Sequence, residues 1–173
     1  MSVIRETEQG RVFVITRLFN APRELVYRVW TEIDHLKEWF GPKGFTMDSC
    51  TLDVRPGGRF HYCMRAPGGQ EMWGRFVYRE VVPLERIAFV VSFSDAAGGV
   101  TRNLMSAQWP LEILSTVTFA EQEGKTLLTM RAVPVGATDE ERKVFEAGFE
   151  SMQMGWKGTL AQLEVHLANG GAR

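Results

Sequence analysis

The side chains with acid–base potential are scattered along the chain rather than gathered. The three histidines, His35, His61 and His166, share no metal-ligand spacing, and none stands beside a sequence-local nucleophile. Each is read as a solvated or structurally paired ring. The two cysteines, Cys50 and Cys63, lack the second pair or nearby histidine couple of a zinc pattern. Both fall in strand-like stretches, where small buried thiols are the better reading and a disulfide the weaker one. Proton transfer would require Asp48, Asp53, Glu71, Arg75 or Tyr62 to meet in one cavity, because a buried carboxylate beside an arginine has the means for it. Exposed sheet-edge charge is the ordinary outcome for such residues. Arg55-Pro56-Gly57-Gly58 carries glycines but lacks the Gly-Lys-Ser/Thr ending and following helix of a phosphate loop, so it reads as a hairpin turn. No catalytic residue, metal ligand or cofactor is assigned.

Apolar recognition is the stronger signal. Large soft side chains recur at strand and helix spacing: Phe60, Tyr62 and Met64, then Trp73, Phe76 and Tyr78, then Phe89 and Phe93. Trp109, Phe145, Phe149, Met152 and Trp156 follow them. Most such residues fill a core, and for any one of them that is the better reading. A subset could line a pocket in which a few polar groups fix orientation. Phe60, Tyr62, Phe149 and Met152 are the preferred wall, with Trp73, Phe76, Phe89 and Phe145 beside them. Trp39, Phe40, Asn103, Met105 and Trp109 are assigned to the rim and entrance.

The elements that must carry these residues follow from periodicity. Residues 11–19 alternate as a strand. Asn20 is placed as an N-cap, with Pro22 in the first turn of a short helix running to about Trp30. A second short helix covers residues 33–39 and stops at Gly41-Pro42. Strands are expected at 47–54, about 60–65, 72–82 and 86–93, separated by tight turns, which makes the sheet antiparallel. Residues 94–109 form a long connection, functional or mobile at that length. Residues 111–120 and 126–133 make the last hairpin. Thr138 then caps one long helix, with Glu141 completing a capping box and Phe145, Phe149, Met152, Trp156, Leu160, Leu163 and Leu167 forming one stripe over about six turns. Gly148, Gly155 and Gly158 interrupt that stripe at about 0.5–1 kcal/mol each, a cost tolerated where something packs closely against the backbone.

Bulk properties bound the function. With 173 residues the chain suits a single domain, with a core spanning about 11–169, large enough to need no staples. Its 20 basic and 21 acidic residues leave a net charge of −1, so no overall attraction draws it to nucleic acid or an anionic membrane. The first ten residues hold no apolar signal core and no later run reaches the length of a membrane span, which places the protein in the cytoplasm by default.

Taken together, several segments resemble a known family. Asn20-Ala21-Pro22, Val29-Trp30, Trp39-Phe40-Gly41-Pro42 and the run from Asp53 to Gly58 are similar to bacterial relatives of the Hsp90-ATPase-activator C-terminal domain. So are Gly74, the run from Glu80 to Ile87, the run from Ser115 to Phe119, and Gly155-Trp156 followed by Leu160 and Leu163. That family belongs to the START-like, Bet v 1-like superfamily (SRPBCC). The resemblance implies an α+β helix-grip fold: a curved antiparallel sheet wrapped around a long C-terminal helix, with two short helices after the first strand and a cavity between sheet and helix. It supplies no universal catalytic residues. The expected function is therefore binding of a small hydrophobic molecule as a carrier, sensor or sequestering protein. A polyketide cyclase- or hydrolase-like enzyme and a protein-binding, co-chaperone-like module are the alternatives, and a homodimer stays open.

Overall fold

A computed structural model describes residues 6–7 and 10–169 of the chain. A small hairpin of β1 (Glu6–Thr7) and β2 (Gly10–Arg11) precedes β3 (Phe13–Phe19). Two short helices follow, α1 (Arg23–Thr31) and α2 (Ile33–Trp39). The chain then runs through β4 (Thr46–Leu52), β5 (Arg59–Arg65), β6 (Glu71–Val82), β7 (Arg86–Ser94) and β8 (Val100–Thr101). The last hairpin, β9 (Glu112–Gln122) and β10 (Lys125–Val135), leads into α3 (Asp139–Ala147) and α4 (Phe149–Ala168).

The main sheet has the order β3-β10-β9-β7-β6-β5-β4, with β8 paired to β7, and every pairing is antiparallel. Register breaks between Met47 and Ser49 and between Tyr78 and Glu80 sharpen its curvature, because an extra residue on one strand bends it. This is the α+β helix-grip arrangement: a curved sheet, two short helices after its first strand, and a long C-terminal helix across the concave face.

The short helices are held by aromatic burial. Val26, Val29 and Trp30 of α1 and Leu36 and Trp39 of α2 are buried. Trp30 and Trp39 meet edge to face at 4.8 Å, and the Trp39 indole N–H donates to the Val29 carbonyl at 2.9 Å. The indole therefore buries its ring without leaving its polar atom unpaired.

Four expectations are corrected. Asn20 does not cap α1; the helix starts at Arg23 with Pro22 in the cap position at φ −68° and ψ 152°, since the proline ring both fixes φ and removes a donor that would need satisfying. The C-terminal helix is two helices, broken at Gly148, where φ −89° and ψ 1° leave the helical region. The Thr138 capping box does start the first of them. The glycine explanation holds only at that break: a Cβ on Gly148 would come within 3.2 Å of the Trp109 ring, whereas one on Gly155 or Gly158 would meet nothing within 4 Å. The 94–109 connection is partly sheet, through β8, and its Leu104 and Met105 are almost fully exposed.

Histidines distant in sequence also meet. His35 Nδ1 lies 3.1 Å from His166 Nε2, joining α2 to the end of α4. Cys63 is buried, Cys50 half-buried, and both are free thiols.

Candidate functional site

The concave face of the sheet is read directly from its register. Tyr62 faces Gly74, and Gly74 faces Phe93; Phe76 faces Val91, and Val91 faces Ile113; Ser115 faces Ala132. Residues directly opposite in an antiparallel pair share a face, so these side chains form one continuous surface. Helix α4 crosses above them with Met152, Gly155, Trp156 and Thr159, one face at steps of three and four. Between sheet and helix lies a cavity of about 370 Å³. That volume is near the lower end of the roughly 300–1,000 Å³ range of small-molecule sites. Phe40, Gly41 and Pro42, following α2, close one side, and Trp109, Pro110 and Leu111 close another. Pro42, Leu111 and Gly155 are the exposed members of the lining and mark its rim.

Two glycines make this geometry possible. Tyr62 lies across Gly74 so closely that a Cβ there would sit 2.5 Å from the phenol oxygen and 2.6 Å from Cζ. Gly41 has φ +114°, a conformation that L side chains avoid, and a Cβ on it would meet the Met64 sulfur at 2.5 Å. The Gly41 carbonyl is then pinned to the helix, accepting from Thr159 Oγ1 at 3.2 Å and Gln162 Nε2 at 2.6 Å. The turn after α2 is thus tied to α4 at the cavity wall.

Of the residues singled out from sequence, Phe40, Tyr62, Trp73, Phe76, Trp109 and Met152 line the cavity. Trp73 does so from the strand's main chain, since its ring points to the opposite face and stacks on His61 at 5.1 Å. The others form a second layer. Phe60 is buried against Tyr62 at 4.7 Å and Phe76 at 5.1 Å, and Phe89 stacks on Phe76 at 4.0 Å. Phe145 sits beneath Trp109 at 5.5 Å, and Phe149 packs edge to face on Phe13 and Phe145. Trp39 belongs to the α1–α2 core. Met105 projects outward, its N–H bonded to the Asn103 side chain, so neither reaches the rim.

Met64, Met72, Gly74, Val91, Phe93, Ser115, Met130, Ala132, Gly155, Trp156 and Thr159 were not singled out as wall residues. Part of the signal was present: steps of two from Tyr62 and Phe76 reach Met64, Gly74 and Met72, and steps of three, four and seven from Met152 reach Gly155, Trp156 and Thr159. Gly74, Ser115 and Ala132 carry no bulk and hence no apolar signal, and Gly155 reads as a point of close packing, yet small residues are what leave a space open.

The lining is apolar and without formal charge. Among the described residues it contains no Asp, Glu, Lys, Arg or His. The five groups considered for acid–base work are dispersed instead. Asp48 pairs with Arg65, whose hydrogen bond holds the carboxyl below its usual range. Asp53 pairs with Arg55 at 2.7 Å, and Arg75 donates to the Gly98 carbonyl at 2.7 Å. Glu71 accepts from the Cys63 thiol at 3.1 Å; burial first, and this carboxylate second, push that thiol up to about 11. Tyr62 alone of the five faces the cavity. Burial raises its pKa well above the ordinary phenol value, so it remains a neutral donor.

The chain matches the family described as activator of Hsp90 ATPase homolog 1-like protein over residues 20–168. Among solved structures it is similar to Ms6760 from Mycobacterium smegmatis, with 21% identity over 96% of each chain and a TM-score of 0.75. It is also similar to NE0264 from Nitrosomonas europaea, with 27% identity over 94% of this chain and 97% of that one, and a TM-score of 0.73. CV1439 from Chromobacterium violaceum is 26% identical over 89% of this chain and 94% of that one, with a TM-score of 0.66. No curated protein matches the chain. With the match running from before α1 to the end of α4, over a curved sheet that grips a helix, the chain belongs to the family of activator of Hsp90 ATPase homolog 1-like proteins.

Proposed function

We propose that this protein binds a small hydrophobic molecule in the cavity between the sheet and α4, acting as a cytoplasmic carrier, sensor or sequestering protein rather than by catalysis. The observation that carries the reading is a cavity of about 370 Å³ lined by aromatic, methionine and aliphatic side chains that the structure leaves open. Gly155 strengthens it. This glycine costs α4 about 1 kcal/mol relative to alanine, with no close packing in return, and it borders the cavity. The acid–base alternative loses support because four of its five candidates are engaged with other partners away from the lining, which leaves Tyr62 there without a charged partner.

A thermal-shift screen against uncharged aromatic and aliphatic compounds tests the reading. A ligand at one hundred times its Kd adds about 2.7 kcal/mol. In a chain of this length that raises Tm by roughly 5–10 °C. The shift should disappear in Gly155→Leu, which puts a side chain at the cavity rim. A shift that survives this substitution places the ligand elsewhere and overturns the proposal.

A further inference from the structure

Resting on that reading, we infer that the cavity selects an uncharged ligand of two or three rings that presents one hydrogen-bonding oxygen to the Tyr62 hydroxyl, and discriminates against carboxylates of the same shape. The case begins with polar accounting. Four hydroxyl-bearing residues border the cavity, Tyr62, Ser92, Ser115 and Thr159, but Ser92 lies between Val91 and Phe93 on β7, so its side chain is on the opposite face of the sheet. Thr159 is already spent on the Gly41 carbonyl. Tyr62 is 6% exposed, and its hydroxyl is not one of the fully enclosed unpaired polar atoms, so it opens on the cavity it lines. Ser115 cannot pair with it: it shares a row with Phe89 and Ala132, whereas Tyr62 shares a row with Gly74 and Phe93. Those rows are four residues apart on β7, about 13 Å at ~3.3 Å per residue. A ligand that fills the cavity encloses this hydroxyl, and a ligand oxygen placed against it keeps it from being left unpaired.

The same lining penalises charge. An ionised carboxylate moved into an apolar space needs a cation or several donors to compensate for lost water. Among the described residues the lining provides no Arg, Lys or His. Tyr62 is held in place for its role, because Gly74 lets the ring lie close on the strand while Phe60, tilted, and Phe40, edge to face, contact it at 4.7 Å and 5.5 Å. The modest volume favours compact ligands over long chains.

Three compounds on one skeleton separate these contributions: diphenylmethane, benzophenone and 4-benzoylbenzoate, each displacing the fluorescent reporter N-phenyl-1-naphthylamine at pH 7.5. Benzophenone should bind about fivefold more tightly than diphenylmethane, the size expected for one neutral hydrogen bond. Tyr62→Phe should erase that difference, with cooperative urea unfolding of the variant showing that it is folded. The carboxylate should bind at least about tenfold more weakly than benzophenone. Equal or tighter binding of 4-benzoylbenzoate, still blocked by Gly155→Leu, overturns the charge selection while the ligand-binding reading stands. A benzophenone preference that persists in Tyr62→Phe overturns the anchor. If neither reporter nor competitor binds the folded protein, the ligand-binding reading and this inference both fall.

Discussion

Gly155→Leu has a sign that depends on whether the space beside α4 is real. In a filled core, adding a leucine side chain forces neighbours apart and costs about 1–3 kcal/mol. At Gly155 a new Cβ meets nothing within 4 Å, so that penalty should be absent. Three contributions then set the magnitude. Replacing an interior helical glycine by leucine recovers about 0.8 kcal/mol of propensity. Covering a leucine side chain fully is worth about 1.5–3 kcal/mol, and a rim position captures roughly half of that. Lost rotamer freedom returns about 0.5 kcal/mol to the unfolded chain. The expected result is a stabilisation of about 1–2 kcal/mol, or a Tm higher by roughly 3–6 °C. Urea unfolding monitored by tryptophan fluorescence measures it, and Gly155→Ala, expected at about 0.5–1 kcal/mol, isolates the backbone contribution. Destabilisation by both variants would refute the reasoning, since it would mean that the space is occupied. Stabilisation without loss of ligand binding would keep the space but remove its function.

Three further outcomes follow from packing and charge. Phe145→Ala should cost about 3–5 kcal/mol in urea unfolding, because that ring is fully buried beneath Trp109 and beside Phe149, whereas Leu104→Ala on the exposed connection should stay within about 0.5 kcal/mol. Native Cys63, its thiol pushed up to about 11, should react with a disulfide reagent at pH 8 at least about tenfold more slowly than the same thiol in urea; equal rates would contradict its burial. Burial, and secondarily the neighbouring His35, lower His166 from 6.5, with Glu38 opposing and Glu32 lying 3.8 Å from His35. The folded state therefore resists its protonation, so stability is complete above pH 6.5 and falls as pH drops through the lowered value. His166→Gln should flatten that loss between pH 7.5 and 5, and an unchanged slope would place the titration elsewhere.

Strand and helix order was legible because its signals are local. Alternation at Phe60, Tyr62 and Met64, the glycine-rich turns and the Thr138–Glu141 box each act within a few residues, and each stands in the structure where the pattern places it. What local pattern could not reveal was where the apolar stripe breaks. Gly148 reads as a tolerated glycine inside a helix until Trp109, 39 positions earlier, is seen packed against it. The same limit applies to the wall. Phe60, Phe89 and Tyr62 have the same strand signature, and only the third dimension separates a ring behind the lining from one on it. The meeting of His35 with His166 depends on the docking of α2 against α4, which no spacing along the chain encodes.

This separation of rings explains how one fold can be firm and hollow at once. Trp30, Trp39, Phe119 and Trp156 interlock at the α1–α2 side, while Phe60, edge to face, and Phe89, stacked, back the lining ring of Phe76. Those contacts secure the sheet's curvature without requiring α4 to descend into the concavity. The helix is instead suspended at two places: at Gly41 through Thr159 and Gln162, and at the Gly148 break, where Phe149 locks onto Phe13 and Phe145. Between those supports lie Met152, Gly155 and Trp156, the part of the helix that roofs the cavity. A helix held at both ends can leave its middle unfilled, and Gly155, at about 1 kcal/mol of helix propensity, keeps that middle free of a side chain, so that the apolar burial forgone there is what a bound ligand would supply.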